Sequence, residues 1–179
     1  MGFLRWLVRR GPRIEAHTLG VLDLSGGTAG ELMAADRTAL APLFRRVSES
    51  TDAPPRSILL LVYCTIAADG AILNSARSLR EIIRDAGAPV VVVATPNSGQ
   101  SYTVAANRNK RLARANLVMT LDRKGEAFAH FFRRLVADMK QGTSMPRAWA
   151  KLAPQAPRGT HPDCPDAIFA CELGQLAFS

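Results

Sequence analysis

Apolar and polar positions follow two rhythms along this chain. "SILLLVYC" and "PVVVVATP" are continuous apolar runs, the pattern of inner strands buried on both faces, and the valines of the second suit a pleated strand. Between them, "SARSLREIIRDAGAP" sets Leu79, Ile82, Ile83 and Ala86 at helical spacing and closes on Gly87, a helix C-cap. Strand, helix and strand with short joints form a βαβ unit, so the two strands are predicted to be parallel, with a right-handed crossover. Upstream, "RIEAHTLGVLDLSGG" predicts short extended segments at 13–17 and 20–24. Leu40, Leu43, Phe44 and Val47 recur at helical spacing within "TAGELMAADRTALAPLFRRVSES". Pro54 and Pro55 mark a loop.

Downstream, "TVAANRNKRLARA" reads as a basic helix and "LVMTLD" as a short strand. "GEAFAHFFRRLVADMKQG" is strongly amphipathic, with Phe128, Phe131, Phe132, Leu135, Val136 and Met139 inward and Gly142 at its end. "SMPRAWAKLA" predicts a further helix, "THPDCPD" a loop and "AIFACEL" a last strand. There is no internal repeat and no low-complexity segment. The order predicts an α/β fold with parallel strands in its middle and excludes all-α and all-β architectures.

At 179 residues the chain is one domain with room for a core, and its hydrophobic content of 47% is ordinary. A net charge of +8 favours an acidic partner: nucleic acid, an anionic membrane surface or an acidic protein. Residues 1–12 form a separate short basic segment ahead of the domain at 13–179. There Phe3, Leu4, Leu7 and Val8 share one helical face beside Arg5 and Arg9. Such a helix lies on a membrane surface or packs on the domain or a partner chain. The segment is too short and too charged for a signal peptide. No apolar run reaches the length of a membrane span. The three cysteines, Cys64, Cys164 and Cys171, lack the number and spacing of a secreted disulfide framework, so a reducing, cytoplasmic home is expected.

Cys64 stands where an inner strand runs out, at the edge where ligands approach an α/β sheet. A core thiol is the other reading. A nucleophilic cysteine needs a base, usually histidine. His17 follows the segment 13–16, His130 lies within a helix and His161 within a loop. If 13–16 is a strand parallel to "SILLLVY" and beside it, about 4.8 Å away, His17 and Cys64 leave the sheet at one edge. Alternatively, His17 only caps a turn.

In succession, "EAHTLG", "ELMAADRTALAPLF", "ILLLVYCTI", "REIIRDAGAPVVVVATPNSG", "FAHFFRRLVADMKQGTSMPRAWAKL" and "HPDCPDAIFACELG" resemble the CHAT domain. That is a caspase-like member of the caspase/separase/gingipain clan of cysteine peptidases. The likeness covers nearly the whole chain from about Arg13. It implies a three-layer α/β/α sandwich, here lacking the N-terminal strands, with a histidine ending one strand and a cysteine ending a later one. It further implies a cysteine endopeptidase with the dyad His17 and Cys64, regulated by a partner that completes its sheet. Backbone amides of Thr18 and Cys64 would hold the oxyanion, and Asp23, Thr65 and Asp69 would line the substrate pocket. The chain departs from the pattern. Thr18 replaces the usual glycine, Tyr63-Cys64-Thr65-Ile66 replaces Ala-Cys-Glu-Thr, and the tryptophan before the last strand is missing. In a second register "LDLSGGTAG" is the histidine strand, Gly27 takes the histidine's place and the dyad is gone. The protein is then an inactive interaction module that binds protein or an anionic surface.

Other motifs carry less. His161, Cys164 and Cys171 are too sparse for zinc, and Cys171 alternates onto the face of Phe169 and Leu173, a core position. "GGTAGE" lacks the lysine and spacing of a phosphate loop. "DLSGG" has glycine where the metal-binding motif of von Willebrand A domains has its third ligand. No metal or other cofactor is expected. The basic run "NRNKRLARA", with Arg133 and Arg134, is the best surface for an acidic partner, and a solvated helix face is its plain reading. It lacks the stacking aromatics of nucleic-acid binders.

Overall fold

The computed structural model describes residues 13–14, 17–108, 114–123, 125–153 and 164–178. In chain order the elements are β1 (Arg13–Ile14), β2 (Thr18–Asp23), α1 (Gly30–Leu40), a 3-10 turn (Ala41–Leu43), β3 (Arg46–Ser50), β4 (Leu59–Tyr63), α2 (Leu79–Ala86) and β5 (Val90–Val93). There follow α3 (Gly99–Asn107), β6 (Asn116–Asp122), α4 (Ala127–Lys140), α5 (Met145–Leu152), β7 (Asp166–Cys171) and β8 (Ala177–Phe178). A six-stranded sheet has the order β3-β2-β4-β5-β6-β7, and β1 pairs with β8 in a separate ladder. Pairing is parallel from β3 to β6, and β7 runs antiparallel to β6.

The predicted βαβ unit is β4-α2-β5, with Leu59 opposite Val90 and Val62 opposite Val93. Ser78 accepts from the Glu81 amide while the Glu81 carboxylate accepts from the Ser78 amide, and Gly87 closes the helix at φ 59. Period-2 alternation then divides the apolar side chains between two layers. Leu60, Val62, Cys64, Val91, Val93, Leu117 and Met119 meet α2 and α3. Leu59, Leu61, Tyr63, Val90, Val92, Ala94 and Val118 meet α1, α4 and α5. The result is the expected three-layer α/β/α architecture. All six inward residues predicted for α4 are buried, each worth about 1.5–3 kcal/mol of apolar burial before entropy is counted.

Four expectations are corrected. Helical spacing through Val47 does not hold, because Pro42 sits in the 3-10 turn and Phe44 is already extended at φ −121, ψ 155. Residues 46–50 form the edge strand β3, with Val47 opposite Leu19. Of the described residues of the segment 13–17, Arg13 and Ile14 form β1 and His17 is not strand, while β2 begins at Thr18 rather than at Gly20. The helix predicted from Thr103 starts at Gly99, where the Ser98 side chain accepts from the Ser101 amide. Cys171 is exposed at the end of edge strand β7 and its thiol donates to Gly174 O at 2.9 Å, so it is not a core residue. Residues 1–12, 109–113 and His161 lie outside the described residues.

Candidate functional site

Register decides which candidates meet. β2 and β4 run parallel with Leu19 opposite Leu59 and Asp23 opposite Tyr63. Cys64 therefore stands level with Leu24 at the carboxyl edge of the sheet. His17 precedes β2 and stands level with Ser57 at the amino edge. Seven residues of extended chain, roughly 23 Å, separate the two levels. The His17–Cys64 dyad is not assembled. The strand beside β4 is Thr18–Asp23, an apolar inner strand, and not 13–16. It leaves His17 at the wrong end, where its carbonyl accepts from the Arg46 amide at 3.0 Å. Thr18 stays with His17, its carbonyl accepting from the Ile58 amide at 3.1 Å, so the paired oxyanion amides of Thr18 and Cys64 are split as well. His130 is exposed, opposite the buried stripe of α4.

Cys64 is fully buried in the layer that holds Leu60, Val62, Ile66, Ile72 and Tyr102. Burial pushes its thiol up to about 12, whereas a nucleophilic cysteine needs a depressed value. Its backbone is occupied too. The Cys64 amide donates to Thr95 Oγ1 at 2.9 Å, and the Cys64 carbonyl accepts from Thr95 Oγ1 and from Asn97 Nδ2 at 3.2 Å. Asn97 Oδ1 accepts from the Ile66 amide at 2.7 Å, and Tyr102 Oη donates to Thr120 O at 3.0 Å. These side chains tie together the chain ends leaving β4, β5 and β6. The polar "ATPNSG" after four valines is the signal that marks them, since such residues at strand ends satisfy backbone groups that the ladder leaves unpaired.

The pocket candidates Asp23, Thr65 and Asp69 do lie towards the carboxyl edge. Thr65 is exposed. Asp23 accepts from the amide and hydroxyl of Ser25, and Asp69 from the Ala71 amide at 3.0 Å, so each carboxylate orders its own turn. At Gly70, φ +78, a Cβ would come within 2.6 Å of the Ala105 amide nitrogen, which seats the loop tightly on α3. Beneath that loop a hollow of about 340 Å³ is lined by Ala71, Ile72, Ser75, Arg77, Ser78, Glu81 and Arg108.

A buried charged cluster escaped sequence reasoning. Arg123 grips Asp36 with two bonds of 2.8 Å, and Tyr63 Oη donates to the same carboxylate at 2.7 Å. Arg123 also donates to Ala94 O at 3.0 Å and lies 3.8 Å over the Phe128 ring. Burial, then the Asp36 charge, raise the Tyr63 phenol above its ordinary value. The cluster joins α1, β4, β5 and α4 but is enclosed: Asp36 is 0% and the Arg123 side chain 4% exposed.

Among the described residues no three His, Cys, Asp or Glu side chains gather in a way that would hold a metal ion. Likewise, none of the described helices is long and apolar enough to cross a membrane. No family model, curated protein or solved structure matches the chain.

Proposed function

We propose that this chain is a CHAT-like, caspase-type α/β module that recognises an acidic partner, protein or surface, and does not cut peptides with His17 and Cys64. One observation carries the reading. The parallel register puts the imidazole and the sulfur at opposite ends of the sheet, with the thiol packed in a hydrocarbon layer. The second register drawn from the sequence, in which "LDLSGGTAG" ends the strand beside Cys64, accords with β2 as it is paired.

The net charge of +8 supplies the preference for an acidic partner.

Labelling of the native protein with iodoacetamide, read residue by residue by mass spectrometry, tests this. The expected result is modification of exposed Cys171 and none at Cys64 until the chain is unfolded. Rapid native labelling of Cys64, abolished by His17→Ala, would overturn the proposal.

A further inference from the structure

β3 lies at the edge of the sheet and pairs only with β2 among the described residues. The Arg46 amide donates to His17 O on the β2 side at 3.0 Å. Backbone groups alternate sides along a strand, so Ser48 and Ser50 also face β2, while Val47 and Glu49 turn their N–H and C=O groups outward. The side chains of those two residues point towards α1. Val47 packs on the apolar layer, and Glu49 is held by Arg37 at 2.9 Å. Beside that ion pair a notch of about 120 Å³ lies between α1 and the edge, lined by Val21, Met33 and Ala34 along with Arg37 and Glu49.

Charge at the start of this strand is one-sided. Arg45, Arg46 and Arg56 are exposed and make no ion pair among the described residues. Arg56 precedes the Ile58 amide that bonds Thr18 O, and Thr18 is opposite Arg46, so all three lie at one end of the sheet. Lys140 joins them from α4, donating to Leu43 O at 2.8 Å. On the α2–α3 layer, by contrast, Arg77 and Arg84 bond Asp85, and Arg80 bonds Glu172. The run "NRNKRLARA" and the Arg133–Arg134 pair do not make one patch, because α3 and α4 cover opposite faces of the sheet.

We infer that β3 is the docking edge for an extended acidic segment of a partner protein. The segment adds to the sheet as a strand, sets its carboxylates against Arg45 and Arg46, and seats an aliphatic side chain in the notch. This rests on the reading of the chain as a binding module, and names both partner and site. Strand addition draws affinity from main-chain bonds and specificity from pockets for alternate side chains. Val47 and Glu49 supply the first, the notch and the arginines the second. A lipid surface has no strand to offer the outward ladder, and single-stranded nucleic acid calls for aromatics presented for stacking.

The test is panning of the full chain against a phage-displayed library of random peptides. Enriched sequences should carry two or more Asp or Glu and an alternating Leu, Ile or Val. Binding of a selected peptide, followed by fluorescence anisotropy, should fall at least about tenfold in Arg45→Glu/Arg46→Glu. It should fall about tenfold in Glu49→Pro, which removes an outward N–H that the β2 ladder does not use. Glu49→Gln keeps that N–H and should bind within about twofold. Ala34→Phe, at an exposed position lining the notch, should weaken binding as well, and decides the matter if urea denaturation shows that the proline variant does not fold. Arg133→Ala/Arg134→Ala should leave binding within about twofold. Acidic peptides whose binding ignores the β3 and notch variants would overturn the site and leave the acidic-partner reading standing. No enrichment, or enrichment without acids, would overturn both. A dimer of the chain alone that Glu49→Pro dissolves would assign the edge to a second copy and overturn the inference too. None of these results bears on the reactivity of Cys64, which the labelling experiment reads separately.

Discussion

A thiol at the end of an inner strand is either a reactive group or a packing group, and the side to which it points decides which. Position 64 continues the alternation of Leu60 and Val62, so its sulfur enters the α2–α3 layer. Hydrocarbon around a thiol disfavours the thiolate, which is why its value rises to about 12 from an ordinary 9.0. The consequence for stability has a definite sign. Above pH 9 the unfolded chain releases a proton that the folded chain keeps, so stability present below pH 9 is lost as pH climbs toward 12. By pH 10.5 the loss from this group alone is about 2 kcal/mol. Urea denaturation at pH 8.5 and 10.5 measures it. Cys64→Ala should remove about that much of the difference, leaving the share from the buried phenols of Tyr63 and Tyr102, both also raised by burial. An unchanged difference in the variant would mean the thiol titrates normally in the folded protein.

At the scale of elements, the enclosed Asp36–Arg123 pair clamps a helix of one layer to the strand ends beneath it. Desolvating two charges offsets much of their attraction, so the pair is better described as a constraint than as a source of stability. Removing one partner is different, because the other is left buried and uncompensated. Asp36→Ala should lower unfolding stability by about 3–5 kcal/mol, read from the denaturant midpoint, and Asp36→Leu/Arg123→Met should recover most of it. A double variant as weak as the single one would show that the clamp positions elements that packing alone cannot. The cluster was not legible in the sequence because its members are 87 residues apart and lie in segments of ordinary polar appearance. What was legible had length and repetition behind it: β4, α2, β5, α4 and α5 each carry several apolar positions in one rhythm. β3 was missed because a five-residue edge strand buries little and its single Val47 satisfies a helical spacing equally well. The site went astray for a related reason. Segments 13–17 and 20–24 both read as extended, and choosing the first as the partner of β4 carried His17 from one end of the sheet to the other.

Over the whole molecule, two apolar layers share one sheet, and this dictates where it yields first. β4 and β5 are covered on both faces and flanked by paired strands on both sides; every one of their residues is buried. They open only when both layers separate. β3 and β7 each pair on one side within the described residues, and their side chains are half-buried or exposed. Detaching either strand disturbs one ladder and leaves the central strands in place. Hydrogen exchange should follow that order. Amides of β4 and β5 should exchange with the free energy of global unfolding measured by denaturant, while those of β3 and β7 exchange through smaller openings and lose protection first. Cys64 follows β4, so its labelling should keep pace with the slowest of these amides. If β3 or β7 proved as protected as β4, their open edges would have to be covered by something beyond the described residues, and the sheet would not end where its pairing does. If Cys64 instead labelled on the timescale of the edges, the α2–α3 layer would open independently of the sheet, and the enclosure that argues against its reactivity would be transient.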